Sequence, residues 1–208
     1  MSKEDPSFIN GYCATFTGKM IVPDEPKPED IDIIDIAVGL SQQCRYAGHV
    51  WPFYSVAEHS ILVAQLVGQQ PDDKRYALRA LMHDSPEFIL NDMVRPVKRK
   101  VKGYDVLEDK VMRAIDTKFD LRYSNSNWKV IKYYDDLITI TERRKLMRRL
   151  PVAAYGRGVP ESEVPNINFK CMPPPEAALA FLSTFFSLSG TSPTQSQFED
   201  IRYLQKGY

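Results

Sequence analysis

Two histidines and an aspartate pair carry the most specific chemistry in this chain. There are three histidines, His49, His59 and His83. His59 closes the run Ser55-Val56-Ala57-Glu58-His59, and His83 is followed at once by Asp84. Asp135 and Asp136 end the run Lys132-Tyr133-Tyr134-Asp135-Asp136. Each group alone has an ordinary reading: a histidine at a helix end, a core histidine with one hydrogen bond, a solvated acid. Together they are polar groups set in apolar stretches of three separate predicted helices, and burying them unpaired would cost several kcal/mol. One divalent cation held between two imidazoles and two carboxylates satisfies all of them. Such a mixed nitrogen and oxygen set suits Mn²⁺, Co²⁺, Fe²⁺ or Zn²⁺ better than Ca²⁺, and Mg²⁺ if waters complete an octahedron. A metal-dependent hydrolase is then expected rather than a plain helical bundle.

The elements that must position these groups are helical. Asp30 to Gln43 reads as a first helix, with Ile33, Ile34, Ala37 and Leu40 at helical spacing. Ser55 opens a second, where Ser55 and Glu58 form a capping-box pattern. His59, Leu62, Val63 and Leu66 share one face of it, and Gly68 and Pro71 end it. Asp72 or Asp73 caps a third, running to about Asp84, and Pro86 breaks it and can start a short new turn. That break matters, because adjacent helical residues diverge by about 100°. His83 and Asp84 can therefore flank one ion only from a helix edge. Further helices are expected over Asp105 to Phe119, Ser126 to Leu150, Pro175 to Leu188 and Thr194 to Gln205.

Residues 1–28 look irregular, and residues 151–175, with six prolines and two glycines, read as an extended covering loop. Strand signals are weak throughout. The expected fold class is all-α, in one domain spanning residues 1–208.

Composition narrows the function classes. The chain has 27 basic and 27 acidic residues, so no global field draws it to nucleic acid or anionic lipid. No apolar run approaches the roughly 20 residues of a membrane span. Lys3, Glu4, Asp5 and Pro6 stand where a signal peptide would be apolar. Cys13, Cys44 and Cys171 are scattered and odd in number, against a disulfide framework and for a reducing, cytoplasmic compartment.

The order His59, His83-Asp84, Asp135 resembles the pattern of the HD phosphohydrolase superfamily. Three blocks are more specific: "CRYAGHVWPFYSVAEHSILVA", "ALMHDSPEFILNDMVRPVKR" and "IKYYDDLITITERRKLM". They are similar to small HD hydrolases related to bacterial 5'-deoxynucleotidases and to phage dATP triphosphohydrolases. The likeness runs from "TFTG" at Thr15 to the "PPPEAALAFL" helix. It implies an HD-type helical bundle with His59, His83, Asp84 and Asp135 as metal ligands. Asp135 is chosen over Asp136 by aligning the "TER" at Thr141. Glu87 and Asp92 match positions that orient the attacking water and handle the leaving-group proton, and Arg45 matches a position near the nucleotide.

A basic run, Arg95, Lys98, Arg99, Lys100 and Lys102, follows Asp92, and Lys132 sits three residues before Asp135. Most of the run reads as a solvated loop. Lys98 and Lys132 are expected to meet phosphate, being tied to metal-bearing segments, with Pro96 shaping the pocket wall. His49 falls outside the metal shell. Trp51, Phe53 and Tyr54 could stack on a base, although aromatics near a turn more often seal a core. The expected activity is release of phosphate from deoxynucleoside monophosphates. Alternatives are release of triphosphate from a deoxynucleoside triphosphate and a silent nucleotide sensor. Related enzymes imply a homo-oligomer.

Overall fold

A computed structural model describes residues 11–69, 74–121, 125–149, 151 and 164–206. The described chain is mostly helical. It opens on a small antiparallel hairpin, β1 (Cys13–Ala14) and β2 (Met20–Ile21), with Cys13 opposite Ile21. The hairpin corrects the expectation of an irregular arm within 1–28, and it has a local cause. Its turn is fastened to a buried acid: Asp35 accepts from the Thr15 hydroxyl at 2.9 Å, the Thr17 amide at 2.7 Å and the Thr17 hydroxyl at 2.7 Å. Those bonds let Asp35 lie 2% exposed inside an apolar helix.

That helix, α1 (Ile33–Gln42), starts later than its apolar spacing suggests. Pro28–Asp30 forms a separate 3-10 turn, and Asp32 is the cap, accepting from the Ile34 amide at 3.0 Å. α1 is buried nearly all round through Ile33, Ile34, Ile36, Ala37 and Leu40. It packs on α8 (Pro174–Ser189) and on the short α4 (Glu87–Leu90). Gly39 permits the second contact, since a Cβ there would stand 2.9 Å from both Cβ and the carbonyl oxygen of Phe88.

α2 (Val56–Gly68) contacts α1, α3 (Lys74–Leu81), α7 (Asn125–Leu146) and α8. Its core face of Val56, Ala57, Val63, Ala64 and Val67 is at most 2% exposed. The short α5 (Arg95–Lys98) leads to α6 (Tyr104–Lys118), and α9 (Gln195–Lys206) closes the described chain. Apolar residues of α1, α2, α3, α6, α7 and α8 form one continuous core. No helix among the described residues is long and apolar enough to cross a membrane.

One expectation changes here. The capping box at α2 is half made: Ser55 accepts from the Glu58 amide at 3.1 Å. The Glu58 carboxylate turns away and accepts from the amides of Lys170, Cys171 and Met172 at 2.8, 3.0 and 2.8 Å. Cys171 has φ +52°, the left-handed setting that aims successive amides at one anion. The described end of the covering loop is thereby fastened to the first turn of α2. The proposed caps at Asp72 and Asp73, and residues 152–163 of the covering loop, lie outside the described residues.

Candidate metal centre and cleft

His59 sits in the second turn of α2 and is fully buried. Its Nδ1 lies 2.6 Å from Oε1 of Glu142, which is also fully buried on α7. His83 lies past the end of α3, in the turn that Pro86 closes before α4. Its Nδ1 lies 2.7 Å from the Ala80 carbonyl, which can only accept, so Nδ1 carries the proton. Both rings are held from behind in this way, and both Nε2 atoms point to the same place.

Three expected residues offer ligand atoms within 4.8 Å of one another: His59, His83 and Asp84. Asp135 closes the fourth side. Its Oδ1 is 3.2 Å from His59 Nε2 and 4.0 Å from His83 Nε2, while Asp84 Oδ2 is 3.7 and 3.2 Å from the same two atoms. Asp136 points elsewhere, to Lys132 at 2.7 Å and Arg95 at 3.2 Å. Both Nε2 atoms are sealed from solvent, yet no aligned hydrogen bond closes onto either. The 3.2 Å approaches are charge contacts. Two buried, unsatisfied imidazole nitrogens flanked by two carboxylates are the donor set a divalent cation needs. The residues present fit a metal.

The charge balance agrees. Burial and Arg45 push the His59 imidazole down, but Glu142 and Asp135 prevail and hold it up at about 9. Burial pushes Asp84 and Asp135 up, yet the histidines hold both carboxyls well below their ordinary range. The cluster retains a positive charge at its centre. A divalent ion can replace that proton.

Glu142 is the residue that sequence reasoning missed, although "TER" contains it. Besides His59 it accepts from Tyr54 at 2.8 Å, from Arg45 Nε at 3.3 Å and from the Tyr46 hydroxyl. Helical arithmetic could have found it. Asp135, Thr139 and Glu142 recur at i, i+4 and i+7 on one face of α7. Thr139 also donates to Asp135 at 3.3 Å, which orients the carboxylate.

Arg45 is 8% exposed and bridges Glu142 to Asp84, with Nη1 3.5 Å from Asp84 Oδ2. Its backbone is pinned by the Tyr54 carbonyl at 2.9 Å. Tyr46, Ala47 and Gly48 then take left-handed φ of 60, 52 and 79° in succession. That setting strains the two that are not glycine, and it aims Tyr46 into Glu142.

Glu87 is 6% exposed, and its Oε2 is buried without a hydrogen bond. Burial, with Asp84 and Asp92 beside it, holds this carboxyl well above the ordinary range. Burial also raises Asp92, against the pull of Arg45.

Arg45, His83, Asp84, Glu87, Asp92 and Asp135 open on a cleft of about 640 Å³, a volume suited to a small organic ligand. Pro96, Lys98 and Lys132 line it as expected, but neither lysine waits unpaired. Lys132 holds Asp135 at 2.6 Å and Asp136 at 2.7 Å, and Lys98 pairs with Glu108. Arg95, assigned to the solvated run, instead reaches Asp135 at 3.1 Å. Among the aromatics weighed for stacking, Tyr54 is fully buried, and Trp51 is 96% exposed and does not line the cleft. His49 is exposed and outside the cluster.

No protein-family model matches the chain. It is 43% identical over 102 residues to an uncharacterized protein of Rhodobacter capsulatus, covering 47% of this chain and 52% of that one. It is 42% identical over 135 residues to the uncharacterized protein YfdR of Escherichia coli (strain K12), covering 65% of this chain and 72% of YfdR. With that identity over that share of the relative, the chain belongs to the same family as YfdR.

Proposed function

We propose that this protein is a metal-dependent phosphohydrolase of the HD type, acting on deoxyribonucleotides, with release of phosphate from deoxynucleoside monophosphates as its reaction. One observation carries the reading: two buried imidazole Nε2 atoms, His59 and His83, face Asp84 and Asp135 with no hydrogen bond to satisfy them. The resemblance of the three sequence blocks to HD nucleotidases supports it.

In this reading His59, His83, Asp84 and Asp135 hold one divalent ion, with Co²⁺, Mn²⁺, Zn²⁺, Fe²⁺ or Mg²⁺ as candidates. When bound, such an ion polarises a phosphate oxygen and lowers the pKa of a coordinated water toward about 7. The chain supplies the rest. Glu142 and the Ala80 carbonyl keep each Nδ1 protonated, so each Nε2 presents its lone pair to the ion. Arg45, Lys132 and Arg95 stand beside the two ligand carboxylates, where they can neutralise phosphate oxygens. Burial beside Asp84 and Asp92 favours the protonated form of Glu87, which can give that proton to the leaving oxygen, with Asp92 alongside.

The test is orthophosphate and triphosphate release from a panel of deoxynucleoside mono- and triphosphates, with each metal, beside the His83→Ala/Asp84→Ala protein. Metal-dependent orthophosphate release from monophosphates, lost in the variant, is expected. Triphosphate release would move the substrate to the triphosphates. Nucleotide binding without turnover under any metal would overturn hydrolysis and leave a sensor.

A further inference from the structure

The cleft extends beyond the metal centre, and its far end is built differently. The side chains of α7 that line it are Trp128, Lys132, Asp135, Thr139 and Arg143, spaced by four, three, four and four residues along one face. At 1.5 Å per residue, Trp128 stands about 10 Å from Asp135 along the axis, with Lys132 between them. The order along this wall is ligand carboxylate, cation, indole. A 5'-nucleotide whose phosphate lies at the metal end would carry its base toward the indole.

Two more side chains complete that end. Arg79 of α3 is 5% exposed, and its guanidinium lies 5.8 Å from the centroid of the Trp128 ring. Its Nε is 3.5 Å from Oδ1 of Asp116 on α6. Oδ1 is sealed from solvent, while the Asp116 side chain is 25% exposed and lines the cleft. Arg79 thus fixes both an apolar plate and an acceptor at the end of the cleft remote from the metal. A carboxylate in a part-buried wall offers hydrogen-bond acceptors and no donor. It favours a base bearing an amino group and disfavours one that lacks it.

We infer that the Trp128–Arg79–Asp116 end is a nucleobase pocket, in which Asp116 selects a base with an exocyclic amino group. This rests on the reading that the metal end takes a nucleotide phosphate. The role of Asp116 is specificity; it touches no reacting atom.

The test compares binding of dAMP and of 2'-deoxynebularine 5'-monophosphate, which differ in the amino group alone. Calorimetry on chelator-treated protein removes turnover from the readout. The wild type is expected to bind dAMP at least about tenfold more tightly, the value of one hydrogen bond to a charged acceptor. In Asp116→Asn, whose amide can donate as well as accept, the ratio is expected to fall to within about twofold. Equal affinities in the wild type, or a full ratio kept in Asp116→Asn, would overturn the inference. Failure of both nucleotides to bind would overturn it too. The wild-type comparison needs no variant, so a poorly folding Asp116→Asn leaves the test intact. Phosphate release, measured separately with metal, keeps the two readings apart. A ratio near one with active hydrolysis removes the base pocket alone, and a tenfold ratio without hydrolysis removes the phosphohydrolase alone.

Discussion

Replacing Glu142 by Gln should be among the most costly conservative changes in this protein. Glu142 is 0% exposed and is the shared acceptor of His59, Tyr54, Tyr46 and Arg45. Two routes give the size of the effect. Removing one member of a buried ion pair costs about 3–5 kcal/mol, because the remaining charge, here Arg45, loses its partner. The second route is the carboxyl's own titration. Burial opposes its ionisation, but Arg45 and His59 prevail and hold it at about 2, against an ordinary 4.5. That difference corresponds to about 3 kcal/mol. The sign follows from a lowered carboxyl: the contribution is complete above about pH 4.5 and fades as pH falls toward 2. The assay is urea unfolding of both proteins between pH 3 and 7 with chelator present. The wild type should exceed Glu142→Gln by about 3 kcal/mol at pH 7, with the gap closing below about pH 4.5. A gap under about 1 kcal/mol, or one that does not change with pH, would refute the buried charge network.

Other changes probe separate parts of the structure. Gly39→Ala places a methyl 2.9 Å from the backbone and Cβ of Phe88, so thermal unfolding should show a loss of about 1–3 kcal/mol and displacement of the turn that carries His83. Glu58→Ala strips the acceptor from three amides, and limited proteolysis should cut the segment around Lys170 faster than in the wild type, with a stability loss of about 2–4 kcal/mol. Glu142→Gln should also weaken Co²⁺ binding by roughly 10–100-fold, read by titration, because His59 loses the group that sets its tautomer. Saturating metal at about 100 times its dissociation constant should stabilise the wild type by about 2.7 kcal/mol, reversed by chelation, and should leave the His83→Ala/Asp84→Ala protein unchanged.

The helices were legible because apolar residues recur at 3.6-residue spacing, as in Ile33, Ile34, Ala37 and Leu40 of α1. Their ends were less so. The start of α1 is not fixed by the sequence because Asp30 and Asp32 are both plausible caps, and only the hydrogen bond to Ile34 chooses. The convergence of His59, His83, Asp84 and one acid of the Asp135-Asp136 pair could be proposed from residue types, since polar groups in apolar stretches need partners, while the choice of Asp135 rested on the resemblance. What supports them could not, because those partners are distant in sequence. Glu142 meets His59 across 83 positions, and Glu58 meets the 170–172 amides across more than a hundred. The Ser55–Glu58 spacing suggested a reciprocal cap, but the amide nest at Cys171 competes for the same carboxylate and wins it. Arg95 looked like one cation in a solvated run, and only the fold brings α5 against Asp135.

The central claim is that four side chains from three segments hold one divalent ion. Its most direct test is a Co²⁺ titration followed by visible absorption, on the wild type, Asp135→Asn and His83→Ala/Asp84→Ala. One equivalent of Co²⁺ in the wild type, with a coordination spectrum weakened in Asp135→Asn and lost in the double variant, is the predicted result. No spectrum in the wild type, or an undiminished one in the double variant, would contradict the account.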